Sequence, residues 1–436
     1  MEWLVTLIIM GGLLLSFLSS GIPVAFAFLS LNIIGFVVWG GGIGSLRLLT
    51  SSGYDTIAAF PFVAVPLFIL MGEALVHSGL AKLMIDNLAK WIGRLPGSLS
   101  LIAVASGTLF AMMSGSAVSG VAVFGLTLAP EMRERGYGKP MIYGPILGAG
   151  SLATIIPPSI LTVILAALST QSVGKLLIAS VVPGFILAGL YTAYILVRAQ
   201  LQPHLAPAFG PLRVSWGEKV KALVVISPLS ILIFLVLGVI FLGVATPSEA
   251  AALGATGAFV LAAVYRRLDW ASIKKALSAT VMVTAMVFMI VMSATAFSQL
   301  LAYTGAVREL GNLATGLPVA PIFIVIVMQV ILIFMGMFID DISMMMITIP
   351  IFFPVIRALG LDPMWFGILM LVNLEMAIIS PPFGLLLFTL QGVVPDASLG
   401  DVYRAAVPIF FLILTLLIIV LIFPSVVTWL PELMKQ

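Results

Sequence analysis

Two proline pairs, Pro157-Pro158 and Pro381-Pro382, lie inside stretches that are otherwise apolar, in the strings Ile155-Ile156-Pro157-Pro158-Ser159 and Ile379-Ser380-Pro381-Pro382-Phe383. A proline pair removes two backbone donors and blocks the preceding turn sterically, so each copy must break its helix. The surroundings make that break consequential. The chain is 62% hydrophobic and 8% charged over 436 residues, where a soluble domain carries about 25% charged residues. It therefore reads as an all-α polytopic membrane protein with no soluble domain of any size. Lipid offers no partner for the carbonyls that a break sets free, so broken helices at membrane depth persist where they line a cavity or bind something. Two of them at matching places in two halves mark a secondary transporter.

A spanning helix needs roughly 20 apolar residues. Candidate spans fall at 3–20, 23–40, 57–75, 141–168, 176–198, 219–242, 249–265, 278–302, 363–392 and 405–430. Met1-Glu2-Trp3 offers no basic n-region and no small-residue cleavage site follows, so the first run is expected to be an uncleaved span. Segments 97–129 and 319–353 are too long for one span. Each is interrupted near its middle, by Met113-Ser114-Gly115-Ser116 and by Ile339-Asp340-Asp341. Both are read as re-entrant hairpins. The amphipathic stretches 78–94 and 304–316 are expected to be interfacial arms.

With the N-terminus outside, Arg47, Lys175, Arg308, Arg357 and Lys435 fall outside, and the rest of the 20 Lys and Arg, Lys82, Arg94 and Arg213 among them, fall on the cytoplasmic side. This is the bias of the positive-inside rule. The pI near 9.1 is then topology information rather than a nucleic-acid patch. The halves also repeat: Pro130, Arg133, Gly136 and Pro157-Pro158 match Pro354, Arg357, Gly360 and Pro381-Pro382 at an interval of 224 positions. Val182-Pro183 matches Val407-Pro408 after a one-residue slip, and Leu95-Pro96 matches Leu317-Pro318. The first hairpin opens from the cytoplasm and the second from outside, so the expectation is inverted structural repeats around one midplane site. The implied division is N-terminal scaffold helices 1–75, a first repeat 76–198, a cytoplasmic connector 199–218, scaffold helices 219–302 and a second repeat 303–436.

The candidate chemistry sits at the tips and breaks. At the first tip, Ser114, Gly115, Ser116 and Ser119 combine turn-permitting glycine with hydroxyls and carbonyls that suit a hard cation; small-residue helix packing would explain the same string. Asp340 and Asp341 at the second tip are costly at bilayer centre without cations, partners or water. One is expected to cap the following helix and the other to coordinate Na⁺, their order being open. Gly150, Ser151, Thr154, Pro157 and Pro158 line the first break, and Asn373, Glu375, Ser380, Pro381 and Pro382 the second, where unwound carbonyls and half-helix ends can meet Na⁺ and a carboxylate. Glu375 admits a structural reading too, paired in the bundle or exposed at its edge. Thr246-Pro247-Ser248-Glu249 reads as a helix start, and Met344-Met345-Met346 as adaptable packing.

Composition excludes several alternatives. With no Cys there are no disulfides, thiolate metal sites or iron–sulfur clusters. His77 and His204 fall at helix ends or loops, which removes the paired axial ligands of a b-haem subunit. Gly115-Ser116 has no placed His, and Asp340 no second catalytic Asp on another helix, so an intramembrane protease is excluded. No enzymatic cofactor is expected.

The two broken spans, the tips Ser114-Gly115-Ser116 and Asp340-Asp341, and Ala245-Thr246-Pro247-Ser248-Glu249-Ala250-Ala251 together resemble the large membrane subunit of tripartite ATP-independent periplasmic (TRAP) transporters, the DctM/SiaM-like family. So do Pro61-Phe62-Val63-Ala64-Val65-Pro66-Leu67-Phe68-Ile69 and Phe352-Phe353-Pro354…Gly360-Leu361-Asp362-Pro363. The resemblance covers essentially the whole chain. It implies an elevator-type, Na⁺-coupled importer in the bacterial inner membrane, working with a small four-helix membrane subunit and a periplasmic substrate-binding protein that delivers a C4-dicarboxylate or sugar acid. It also implies that Ser114 to Ser116, Thr154 to Pro158, Asp340, Asp341, Asn373 and Ser380 to Pro382 form the sodium and substrate region. The small subunit is expected to be a separate polypeptide, because the sequence starts directly at its first span. A stand-alone carboxylate or citrate-type carrier is the rival reading.

Overall fold

The structure, a computed structural model, describes residues 2–92, 95–207 and 215–434. Met1, Arg94, Arg213 and Lys435, the side chains of Pro61 and Lys82, and positions 208–214 of the expected connector lie outside them. All regular structure among the described residues is helical. The chain opens with α1 (Glu2–Ser19), α2 (Val24–Trp39), α3 (Leu46–Ala58), α4 (Ala64–His77) and α5 (Leu80–Ile92). A hairpin of α6 (Ser98–Ser114) and α7 (Ala117–Glu134) precedes a helix broken into α8 (Lys139–Ser151) and α9 (Ile160–Leu168), and α10 (Val173–Leu201) ends this half. Next come α11 (Trp216–Phe241), α12 (Pro247–Val264), α13 (Trp270–Tyr303) and α14 (Ala306–Gly316). A second hairpin of α15 (Pro321–Gly336) and α16 (Asp341–Ala358) leads to a second broken helix, α17 (Pro363–Ala377) and α18 (Leu385–Val393), then α19 (Leu399–Ile422) and α20 (Ser425–Glu432).

The order of α5–α10 recurs in α14–α19, and the local chemistry recurs with it. Gly79 and Gly305, with φ of 70° and 74°, turn the chain into the two amphipathic arms; Gly136 and Gly360, at 76° and 69°, turn it out of the two hairpins. These left-handed positions suit glycine, which has no Cβ to clash. Helix starts follow from composition. Ser116, Ser159, Ser172, Ser215, Thr246, Asp269, Asp340, Asp362 and Ser398 each accept a backbone N–H of the turn they open, the interaction that makes these residue types good N-caps. Thr246 and Glu249 close a full capping box ahead of α12, with Pro247 at its first position.

Two segments expected as single spans are interrupted. The segment before residue 64 is not part of one span from 57: α3 is a separate helix, and a tight turn over Phe60–Val63 joins it to α4. Arg47, Thr50, Ser51, Ser52 and Asp55 dilute α3 below the apolar threshold of a spanning helix, which hides it from a hydropathy scan. The last span, expected at 405–430, ends at Ile422. Pro424 disfavours helical geometry in Phe423 before it, and α20 restarts at Ser425.

Helices α10, α11, α12, α13, α16 and α19 are long and apolar enough to cross a bilayer. Their outer faces, and those of α1 and α15, expose large apolar side chains such as Ile8, Phe234, Val281, Phe323 and Phe334. In water that would drive aggregation; in a bilayer it is the lipid-facing surface. The protein is a multi-pass membrane protein. One apolar core runs through α4, both hairpins, both broken helices and α10, α12 and α19. A second joins α1, α2 and α13, with Met346 of α16 in it.

Candidate functional site

At the first tip the chain leaves α6 through Gly115, whose φ of 58° reverses it, and enters α7 at Ser116. Ser116 Oγ accepts the Ser119 N–H at 3.3 Å and lies 3.0 Å from Ser119 Oγ, while Ser114 Oγ accepts the Ser116 N–H at 3.3 Å. Ser114 is buried; Gly115, Ser116 and Ser119 are half-buried. The tip sits directly on the first break, since a Cβ on Gly115 would lie 2.9 Å from the Pro158 carbonyl oxygen. On its other side is α4, where a Cβ on Gly72 would come within 2.6 Å of the Ser114 carbonyl oxygen.

The second tip is built the same way with a charged cap. Asp340 caps α16, its carboxylate accepting the Ser343 N–H at 3.1 Å and the Ser343 hydroxyl. Asp341 is the first helical residue, and its Oδ1 accepts the Ile342 N–H at 2.9 Å. The order left open in the sequence is thereby settled for capping: Asp340 is exposed and caps, Asp341 is half-buried and does not. Ser116/Ser119 and Asp340/Ser343 are the same pair of positions in the two halves.

The first break runs from Leu152 to Ser159. Leu152–Thr154 tightens into a single short turn, and Ser159 Oγ reaches back 2.6 Å to the Thr154 carbonyl while accepting the Thr162 N–H that starts α9. Gly150 is a packing residue: a Cβ there would lie 2.3 Å from Val121 Cγ2 of α7, just as one on Gly107 of α6 would lie 2.6 Å from Ala149 Cβ. Both arms of the first hairpin thus clasp α8 through glycines, the close approach that small residues permit in membranes. Pro157 and Pro158 are buried. The second break, Ile378 to Gly384, is bridged by the Leu386 N–H to the Ile378 carbonyl at 2.9 Å. Ser380 Oγ donates to the Met376 carbonyl at 2.8 Å, and Tyr403 of α19 donates to the Pro382 carbonyl at 2.8 Å. Pro381 is half-buried and Pro382 exposed.

The breaks meet through side chains. Ser151 Oγ donates to Glu375 Oε1 at 2.9 Å and lies 3.2 Å from the Tyr191 hydroxyl. Ser151 Oγ also lies 3.0 Å from the Gly148 carbonyl, so its single proton is shared between that carbonyl and Glu375, and Tyr191 supplies the remaining hydrogen bond. Glu375 is fully buried, and its Oε2 has no partner. Two other buried oxygens of the breaks are also unpartnered, Thr154 Oγ1 and Asn373 Oδ1. Asn373 Nδ2 donates to Gln329 Oε1 of α15, tying the second hairpin to its own half's broken helix. The two tips keep separate hydrogen-bond sets. Among the described residues no group of three or more His, Cys, Asp or Glu side chains could hold a metal ion.

Residues 11–426 match the family model of the tripartite ATP-independent periplasmic transporter, DctM component. The chain belongs to this family. It is 34% identical to a C4-dicarboxylate TRAP transporter large permease protein of Pseudomonas aeruginosa, over 89% of this chain and 90% of the relative. It is 29% identical to the ectoine TRAP transporter large permease protein of Halomonas elongata, over 98% and 99%. It is 28% identical to the isethionate TRAP transporter permease protein DctMQ of Oleidesulfovibrio alaskensis, over 94% of this chain and 64% of the relative. Among solved structures the Alcanivorax borkumensis YdaH transporter has the same fold, with a TM-score of 0.61 at 17% identity, over 88% of this chain and 90% of that one. The protein is thus a large TRAP permease subunit with the helical architecture of a membrane transporter.

Four residues at the site escaped sequence reasoning: Gly72, Tyr191, Gln329 and Ser343. Two left a signal. Ser343 is the repeat counterpart of Ser119, and Gln329 is the lone polar residue in the apolar α15. Gly72 and Tyr191 left none, because only tertiary packing brings them to the tip and to Ser151.

Proposed function

We propose that this chain is the Na⁺-coupled permease of a binding-protein-dependent carboxylate importer, and that its two halves are inverted around a site between the tips and the breaks. The observation that carries the reading is the junction of the breaks. Ser151 and Glu375 occupy the same position in the two halves and bond to each other, as residues on an axis relating the halves would. Such an arrangement would put one site between two gates related by a two-fold axis. The unpartnered Thr154 Oγ1, Asn373 Oδ1 and Glu375 Oε2, with the tip carbonyls, hydroxyls and Asp341, are the hard oxygen donors that suit Na⁺. The substrate class rests on the C4-dicarboxylate relatives; since the ectoine and isethionate relatives are also similar, the substrate itself is a matter for assay.

Coupling would work by mutual stabilisation. Na⁺ orders the unwound backbone and offsets the acidic second tip, the carboxylate then binds, and the loaded unit moves against the scaffold helices. An unloaded unit resists crossing, because unpaired polar groups and an uncompensated aspartate are costly in hydrocarbon. The partners would be a small four-helix membrane subunit and a periplasmic binding protein. The part of the DctMQ relative that this chain does not cover leaves room for such a subunit. The location would be the bacterial inner membrane with both termini periplasmic. Uptake of labelled carboxylates into liposomes, with this chain alone and with both partners, across imposed Na⁺ gradients, tests the reading. Uptake that needs all three proteins and inward Na⁺ supports it; uptake by this chain alone indicates a stand-alone carrier.

A further inference from the structure

Away from the tips, the bases of the two hairpins make a contact that the transport reading does not use. Arg133 ends α7 and Arg357, its counterpart in the second half, ends α16. Each reaches out of its own half. Arg133 Nη1 donates to Asp396 Oδ2 at 3.1 Å and Nη2 to the Pro395 carbonyl at 3.0 Å, on the turn that follows α18. Arg357 Nη2 donates to the Ser169 carbonyl at 2.6 Å and to Thr170 Oγ1 at 2.8 Å, on the turn that follows α9.

The two turns explain their own sequence. Thr170 and Asp396 hold φ of 57° and 67°, and the third non-glycine residue in that region among the described residues is Arg266. A left-handed turn after a helix is ordinarily glycine's place, and a β-branched threonine there is a clear outlier. In both turns the residue that stands where glycine would be easier is the one whose side-chain oxygen meets the arginine. The first turn is closed by backbone bonds from Thr170 to Ala167 and from Gln171 to Ala166, and the Thr170 hydroxyl donates to the Ser169 carbonyl at 2.7 Å while accepting from Arg357. The repetition in both halves, on different acceptor chemistry, argues against chance surface pairing.

We propose that Arg133 and Arg357 are positioning residues that anchor each hairpin's base to the other half's broken helix. Each hairpin then pivots about a fixed base, and its tip is the part that opens. The anchors differ in kind. Arg133 spreads Nη1 and Nη2 over a carboxylate and a carbonyl, a fork that an ammonium does not reproduce, whereas Arg357 sets the single Nη2 against two neutral oxygens, which one ammonium can also meet.

The inference rests on the transporter reading and is tested in the reconstituted three-protein system. Initial uptake rates are measured per folded transporter for Arg133→Ala, Arg357→Ala, Arg133→Lys, Arg357→Lys and the milder Thr170→Val. An anchor that registers the tips over the breaks predicts that both alanine variants raise the half-saturating substrate and Na⁺ concentrations about two- to fivefold, the scale of exposed charge-assisted contacts. Arg133→Lys should recover only part of the shift, Arg357→Lys most of it, and Thr170→Val should shift in the direction of Arg357→Ala. A merely structural role changes the amount of folded protein and leaves half-saturation alone, so unchanged values in both alanine variants overturn the proposal. Wild-type uptake indifferent to Na⁺ would refute the coupling ion and leave the anchors readable through substrate half-saturation.

Discussion

Ser151 donates a hydrogen bond to Glu375, its own counterpart 224 positions further along the chain. The two residues are chemically unlike, so the matching positions have diverged where they touch. A glutamate opposite a glutamate would bury two carboxylates together. A serine opposite a glutamate makes a bond.

That pairing sets the cost of altering it. Ser151→Ala leaves a buried carboxylate oxygen without its donor, and should destabilise the protein by about 1–3 kcal/mol. Glu375→Gln keeps an acceptor oxygen for Ser151 and should cost less. Thermal unfolding of the purified protein in detergent, followed by tryptophan fluorescence, distinguishes them; equal losses in both variants would mean that the bond is not what Glu375 contributes.

The two tip aspartates should separate by experiment. Asp340→Ala removes the cap of α16, costing about 1 kcal/mol, whereas Asp340→Asn keeps a capping oxygen and should be nearly neutral in stability. Asp341→Asn removes no cap; it should instead raise the Na⁺ concentration for half-maximal uptake, about tenfold for each 1.4 kcal/mol of lost interaction. Unchanged Na⁺ dependence in single alanine variants of both residues would remove the second tip from the ion site.

Close helix contacts predict a pattern among glycines. Gly107→Ala and Gly150→Ala each force a methyl group against a neighbour at 2.6 Å or less, where backbone as well as side chain is in the way; overpacking of this kind costs about 1–3 kcal/mol. Gly189→Ala and Gly238→Ala meet nothing within 4 Å, and both lie inside helices, so they should be neutral or slightly stabilising. Melting temperatures of the four variants would show the split, and a drop common to all four would sink the argument.

A pH effect is expected at the start of α13. Hydrogen bonds from the Ser272 side chain and backbone hold the Asp269 carboxyl below the usual carboxylate range. A lowered folded-state value means that the cap's contribution is complete above the ordinary carboxylate range and is lost as pH falls through the lowered one. Asp269→Asn keeps a cap that does not titrate, so in acid its melting temperature should fall less than that of the wild type. Parallel curves would show that this carboxyl contributes nothing to acid unfolding.

What the sequence made legible was whatever obeys a local rule. Proline pairs break helices wherever they stand, so both breaks were expected, and each pair lies inside the break observed, Leu152 to Ser159 and Ile378 to Gly384. The tips were readable because Gly115 and the paired aspartates interrupt apolar runs. The start of α12 was readable because Thr246, Pro247 and Glu249 are adjacent in the chain. The helix α3 was missed because Arg47 and Asp55 make it too polar for a hydropathy scan, and the break at Phe423 because one proline near a span's end looks like a helix that simply continues. Tyr191 and Gln329 belong to a different kind of information. Which side chain reaches Ser151 or Asn373 depends on how helices stack, and no spacing in the sequence states it.

The contact between Gly72 and the Ser114 carbonyl has a mechanical meaning. Interlocking side chains act as teeth: one helix moves past another only when rotamers swing out of the way, each swing adding to the barrier. At this point α4 presents bare main chain to the tip, so there is no tooth to lift. At Gly72 the first tip rests against its neighbour as it would on a smooth bearing.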